Sequence, residues 1–232
     1  MTILKTSSII ILLTGLFACQ TQNVTIRYEG RVVERYQVDR KTKVRNGYYR
    51  VYHSNRKVAL EHTYVNGELE GIEKIYHENG AISGLLPMKD GKYDGHFTYY
   101  YLDGSVKQKG YYKNDKITGD LTSYYRNGQT KECVRMENNL EEGPFREYSV
   151  DGILIKQGNY TSLDGQEALE HGLIYEYDPT TMKLLNKKRC SQGYCCSVWE
   201  RERGYLRPST SLCDEIMNPQ TKNINSTTSG SE

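Results

Sequence analysis

Large apolar side chains are scarce in this chain. Its 232 residues include only 3 Phe and 1 Trp, hydrophobic residues make up 37% of it, and mean hydropathy is −0.74. That composition excludes a single thick core of ordinary make-up. A charge excess is lacking as well. The formal net charge is +2 and both signs are mixed along the chain, which argues against a nucleic-acid footprint. No apolar run reaches the roughly 20 residues that a membrane-spanning helix needs. No apolar stripe of period 3.6 persists and glycine recurs every dozen residues or so, so helix is not expected. The chain also lacks a Gly-rich phosphate loop, a nucleophile elbow and a His-Glu-x-x-His stretch. No catalytic constellation is visible, and neither an enzyme activity nor a cofactor is expected.

Tyrosine and glycine are abundant, at 21 each. A tyrosine can lie half-buried with its hydroxyl wet, which suits a thin sheet. Both residues recur on a fixed period. Gly47, Gly71, Gly95, Gly119 and Gly143 stand 24 residues apart, and Tyr52, Tyr76, Tyr100, Tyr124 and Tyr148 follow each by five. One turn pair comes next: Asn55-Arg56, Asn79-Gly80, Asp103-Gly104, Asn127-Gly128, Asp151-Gly152. A second follows at Asn66-Gly67, Asp90-Gly91, Asn114-Asp115 and Asn138-Asn139. Matches held in register this often mark a repeat protein.

Each repeat reads as two short strands, as in Phe97 to Tyr101 and Ser105 to Tyr112, rich in aromatic and β-branched residues. Three positions stay apolar or aromatic and are read as the inward face. They are the tyrosine set from Tyr52, the set Val58, Ile82, Val106, Thr130 and Leu154, and the set Tyr64, Met88, Tyr112, Met136 and Tyr160. The first two share a face if the first turn is a three-residue loop with a left-handed glycine. A two-residue second turn would set Tyr64 opposite Leu69, Met88 opposite Tyr93 and Tyr112 opposite Ile117. The expected fold is all-β: an elongated single-layer antiparallel sheet of tandem 24-residue hairpins over residues 44–187, with hairpins paired edge to edge. Residues 19–43 hold a tether and a degenerate first hairpin, 188–217 a cysteine-rich C-terminal cap, and 218–232 a polar tail expected to be disordered.

Residues 1–18 read as a secretory signal peptide, with an apolar run at Ile9 to Phe17 interrupted by Thr14 and Gly15. Leu16-Phe17-Ala18-Cys19 resembles the lipobox of bacterial lipoproteins. That resemblance implies a signal-cleaved lipoprotein in which Cys19 carries acyl chains such as palmitate and becomes the mature N-terminus. Gln20 would then favour the outer membrane. Buried acyl chains contribute about 0.8 kcal/mol per methylene, so several anchor firmly.

In such an oxidising compartment Cys190, Cys195, Cys196 and Cys213 are disulfide candidates. Their spacing lacks the paired Cys-x-x-Cys of a zinc ribbon. Three connectivities are open, and the vicinal pair Cys195-Cys196 bonds outward more easily than to itself. Cys133 stands alone, expected as a buried free thiol. His53 and His77 share a repeat position and are expected as solvated strand histidines rather than metal ligands. Glu73, Glu141 and Glu142 are expected as sheet-surface charges.

Tyr76-His77-Glu78-Asn79-Gly80 and Tyr124-Tyr125-Arg126-Asn127-Gly128, on this period, resemble the bacterial MORN-repeat variant family over roughly Arg45 to Lys187. Many members of that family are labelled YwqK-type antitoxin components. The Gly-His-Gly signature of the eukaryotic repeats is missing, Gly95-His96-Phe97 being only a fragment, so lipid-head-group binding is not carried over. The resemblance implies a protein-binding ribbon, an antitoxin or immunity-like neutraliser of a toxin. The alternative is a structural or adhesive envelope lipoprotein without a toxin partner. The residues chosen as binding-face candidates are Tyr49, Arg50, Tyr99, Tyr101, Tyr125, Arg126 and Arg146, because Tyr and Arg are favoured interface anchors.

Overall fold

Two kinds of turn fold the chain back on itself in alternation. The computed structural model describes residues 20–162, 168–206 and 213. The lipobox with Cys19, the signal peptide and the tail at 218–232 lie outside the described residues. In order the strands are β1 (Thr21–Tyr28), β2 (Arg31–Asp39), β3 (Arg45–Tyr52), β4 (Val58–Val65), β5 (Glu68–Tyr76), β6 (Ile82–Lys89), β7 (Lys92–Tyr93), β8 (Gly95–Tyr100), β9 (Val106–Lys113), β10 (Lys116–Tyr124), β11 (Thr130–Glu137), β12 (Leu140–Tyr148), β13 (Leu154–Ser162), β14 (Ala168–Tyr177), β15 (Leu184–Ser191), β16 (Tyr194–Glu200) and β17 (Gly204–Tyr205). Strands pair antiparallel with their successors in one meandering sheet, with β7 and β8 both lying along β6.

The first turn is a three-residue loop. In one copy the Tyr101 N–H donates to the Ser105 carbonyl at 2.8 Å and the Gly104 N–H to the Tyr101 carbonyl at 3.0 Å. Gly104 sits at φ 85°, where a side chain would be strained. The second turn places both residues at positive φ, as at Asn66 (51°) and Gly67 (95°). This is the hairpin geometry whose twist matches that of its flanking strands. It sets Tyr64 opposite Leu69, Met88 opposite Tyr93 and Tyr112 opposite Ile117, as expected. The glycine that opens each repeat has a third use. Gly71, at φ 89°, lies where the register between β4 and β5 breaks, in a bulge that adds local twist.

Cross-strand partners share a face, so the register assigns every side chain to one of two. The inner face carries the pairs Tyr49↔His62, Glu73↔Leu86, Phe97↔Gly110, Leu121↔Val134, Phe145↔Gly158 and Ile174↔Lys188. Leu86, Phe97, Phe145 and Ile174 are at most 2% exposed. Val134, Met136, Phe145, Ile174 and Cys190 form one cluster, with Ile117, Leu121, Tyr160 and Cys195 against it. Packing is dominated by strands adjacent in the chain. The inner side chains are therefore covered by one another rather than by a second layer. Size alternates to make this possible. The Phe97 ring lies over Gly110, where a Cβ would stand 2.7 Å from it, and Phe145 and Ile174 close over Gly158 in the same way.

One expectation is corrected here. Of the three apolar sets, only the one from Tyr64 lies on the buried face. The set from Tyr52 and its partners from Val58 do share a face, but it is the opposite one. Tyr52 lies under Arg35, Tyr124 under Lys109, and Tyr177 accepts from Gln157, all outer-face residues. The bulge after the first turn, where Val51 pairs Leu60 but Tyr52 pairs Val58, shifts the parity.

The described part of the cysteine-rich stretch continues the same sheet, with β15 and β16 forming one more hairpin. Cys190 lies directly opposite Cys195 and is disulfide-bonded to it, while Cys196 bonds Cys213. The vicinal cysteines thus point to opposite faces and bond outward.

Candidate functional site

Charge separates across the sheet. One outer-face row, followed from strand to strand through the register, carries Arg35, Arg50, Lys74, Lys109, Arg146 and Lys187, with Glu61 as its carboxylate. The inner-face row one residue away carries Glu34, Glu132, Glu147, Glu176 and Glu200, with Lys156 as its cation. Glu132 and Glu147 face each other directly. Burial, then Glu141 and Glu147, holds the Glu132 carboxyl above its ordinary range. Lys156 bonds Glu170, and Lys188 reaches Glu176 at 2.6 Å.

Beside the basic outer row runs a tyrosine row: Tyr52, Tyr76, Tyr100, Tyr124, Tyr148 and Tyr177, each half-buried. Around Lys109 the outer face is hollowed. His96, Thr98, Lys109, Tyr111, Thr122 and Tyr124 line an open trough of about 620 Å³, with the Asp120–Arg135 ion pair at its rim, 3.1 Å long.

The next residue in each repeat stitches hairpin to hairpin. Tyr101 donates from its hydroxyl to the Tyr124 carbonyl at 2.7 Å, and Tyr125 to the Tyr148 carbonyl at 2.9 Å. In earlier repeats the histidines hold this place: His53 Nε2 lies 2.9 Å from the Tyr76 carbonyl and His77 Nε2 3.2 Å from that of Tyr100. They are structural rungs, which corrects the expectation of solvated histidines. Asn55 and Asn127 repeat the pattern two residues on, each donating at 2.7 Å to a carbonyl of the following loop, Glu78 and Val150.

A polar network lies buried on the inner face near the N-terminal end. His62 Nδ1 is 2.9 Å from Glu73 Oε2, and the Tyr93 hydroxyl donates to Glu73 Oε1 at 2.7 Å. Burial alone would raise the Glu73 carboxyl; the hydrogen bonds from His62 and Tyr93 outweigh it and hold the group below the usual carboxylate range. Burial together with the Glu73 hydrogen bond pushes the Tyr93 phenol up. The His62 ring stacks on Tyr49 at 4.7 Å and meets the Tyr64 edge at 5.2 Å, and its Nε2 is buried with no partner. Arg45 lies over the rings of Tyr36, Tyr49 and Tyr64 and donates to the Tyr64 hydroxyl at 2.9 Å. With Nε2 covered, the dyad has no open substrate position and serves the register of β4 on β5. Glu73 is therefore no surface charge, contrary to expectation. Its burial is invisible in the sequence because the same repeat position reads Tyr, Glu, Phe, Leu, Phe.

The binding-face candidates do not converge. Tyr49 and Tyr99 lie on the inner face, where burial, then Glu34 for Tyr49 and Tyr112 for Tyr99, pushes each phenol up to about 12. Tyr101 and Tyr125 have their hydroxyls engaged at the loops. Arg126 pairs with Asp103 at 3.3 Å over the Tyr101 ring. Only Arg50 and Arg146 belong to the outer row, Arg50 paired with Glu61 at 2.5 Å. Cys133 is free but only half-buried, on the outer face. Glu142 accepts from the backbone and hydroxyl of Ser162, and Glu141 is held up by burial and Glu147. Among the described residues Glu170, Cys190 and Cys195 draw close, but both sulfurs are in a disulfide and offer no thiolate.

The MORN repeat variant family matches residues 69–90 and 93–114, two tandem copies in the middle of the ribbon. No curated protein matches the chain. Among solved structures, a porin-like protein from Bacteroides uniformis is similar over 76% of this chain and 92% of its own, at 9% identity and a TM-score of 0.21.

Proposed function

We propose that this chain is a protein-binding ribbon held at the cell envelope. The observation that carries this reading is the outer face: a row in which Arg35, Arg50, Lys74, Lys109, Arg146 and Lys187 recur, beside a row of half-exposed tyrosines, with an open trough rather than an enclosed pocket around Lys109. Tyr and Arg are the side chains interfaces use as anchors, and a repeat sheet presents them over a long surface. The partner that fits carries carboxylates. A toxin neutralised in the envelope is one such partner, consistent with the label of the related family. Cys19 supplies the anchor in this reading. A Cys19→Ser variant would lose label from radioactive palmitate and leave the membrane fraction.

The test of binding is affinity capture from envelope extract with the mature chain and with a Lys74→Glu/Lys109→Glu/Arg146→Glu variant. A protein retained by the first and lost by the second is expected; identical capture by both would end the reading. Survival of a deletion strain among toxin-producing siblings separates the antitoxin version from a structural one. The structural version is favoured by the inter-repeat stitches, which make the ribbon continuous.

A further inference from the structure

The tyrosine row has a period of its own. Adjacent strands lie about 4.7–4.9 Å apart, so tyrosines two strands apart recur about every 9.4–9.8 Å. A polyproline II helix turns once in three residues, about 9.3 Å. Over the two intervals that three tyrosines define, the two drift apart by at most about 1 Å. Two turns of α-helix advance about 10.8 Å and drift by about 2–3 Å over the same span. An extended strand repeats its side chains about every 6.6–6.8 Å, commensurate with neither.

The chemistry of the row agrees with the period. Polyproline II makes no internal hydrogen bonds, so its carbonyls need donors. Among the described residues the hydroxyls of Tyr76, Tyr100 and Tyr124 make no hydrogen bond, the Arg50–Glu61 pair standing near that of Tyr76, whereas those of Tyr101 and Tyr125 in the next row are bonded. Their rings are half-exposed on the outer face, where proline rings can stack. Lys74 stands two residues from Tyr76 on β5, Thr98 and Thr122 hold that place beside Tyr100 and Tyr124, and Lys109, on the strand between these two, reaches the Tyr124 ring at 5.9 Å.

We propose that Tyr76, Tyr100 and Tyr124 form a track for an acidic, proline-rich segment in polyproline II form, one turn per hairpin. The inference rests on the protein-binding reading above and names the partner's chemistry. Sheet twist of about 20–25° per strand turns the outer face by about 40–50° from one tyrosine to the next, which keeps the track short; these three lie mid-ribbon.

The test uses the full mature chain and a fluorescent peptide of repeated Pro-Pro-Glu triplets, about 12 residues long, against a Gly-Ser-Glu peptide of equal length and charge. Anisotropy should show Pro-Pro-Glu binding at least about tenfold tighter. Tyr100→Phe/Tyr124→Phe keeps the rings and should weaken binding about three- to tenfold for each hydroxyl lost. An unchanged melting temperature would show that the variant is folded. Equal affinity for the two peptides would reduce the attraction to charge alone and overturn the proposal, as would indifference to the Phe substitutions. A captured partner that binds the Tyr100→Ala/Tyr124→Ala variant as well as the parent would refute the track while leaving the protein-binding reading intact.

Discussion

Gly158→Ala is a direct probe of how a one-layer sheet buries its core. A Cβ at this position would stand 2.2 Å from Ile174 Cδ1 and 3.0 Å from Phe145 Cε1. Ile174 is 0% exposed and Phe145 1%, so neither has open volume to retreat into. Overpacking of this kind costs about 1–3 kcal/mol. Gly158 lies outside the positive-φ region, so alanine also stiffens the unfolded chain, returning about 0.4–1 kcal/mol. The net loss should be about 1–2 kcal/mol, seen as a fall in melting temperature of about 2–8 °C for a domain of this size. Ile174→Val removes the clashing methyl and alone costs about 0.5–1.5 kcal/mol. The double variant should therefore be no worse than Ile174→Val alone, a coupling of about 1–2 kcal/mol in urea unfolding. Strictly additive losses, or a neutral Gly158→Ala, would refute the idea that aromatic-over-glycine pairs close this face.

Four further outcomes are expected. His62→Ala leaves Glu73 buried with one hydrogen bond fewer and should cost about 1–3 kcal/mol at pH 7. Because the Glu73 carboxyl is held low in the folded chain, its contribution is present above its unfolded range and is lost as pH falls through the folded value; the loss on His62→Ala should shrink in acid, read by urea titration at several pH values. Glu132 is the opposite case: its folded carboxyl is held high, so the folded chain binds the extra proton and stability falls as pH rises through that window. Glu132→Gln should raise the melting temperature near neutrality and change it little in acid. Removing the Cys196–Cys213 disulfide, which spans 17 residues, should cost about 3 kcal/mol on the chain-entropy account, and removing Cys190–Cys195, which spans 5, about 2 kcal/mol; paired Ser variants compared by calorimetry check the order. Tyr125→Phe deletes one stitch to the next repeat and should cost about 0.5–1.5 kcal/mol in the same assay.

Much of the fold was legible. Period, turn residues and the pairings Tyr64↔Leu69 and Met88↔Tyr93 follow from Asn-Gly and Asp-Gly alone, because those dipeptides fix both turn geometry and strand register. The core was less so. The recurring tyrosines drew attention as its obvious members, yet one bulged residue beside the first turn moves them to the outer face. The buried position was masked by its own variety, since Phe97 over Gly110 and Glu73 beside His62 solve the same packing problem with unlike residues. Cys190 to Cys213 differs in composition from the repeats, yet Gln192-Gly193 turns a hairpin of the same sheet. The binding-face candidates were chosen by residue type, and type does not say which hydroxyls are already bonded.

Sequence by itself determined the architecture, because turn chemistry acts over a few residues and repeats without reference to distant parts of the chain. Only the tertiary structure decided where the charge lies. Glu34-Arg35, Glu73-Lys74 and Arg146-Glu147 cancel when read along the chain, but neighbours in a strand point to opposite faces. Pairing strand to strand sorts them into a mostly basic row on one face and a mostly acidic row on the other, a property that belongs to the register and not to any segment alone.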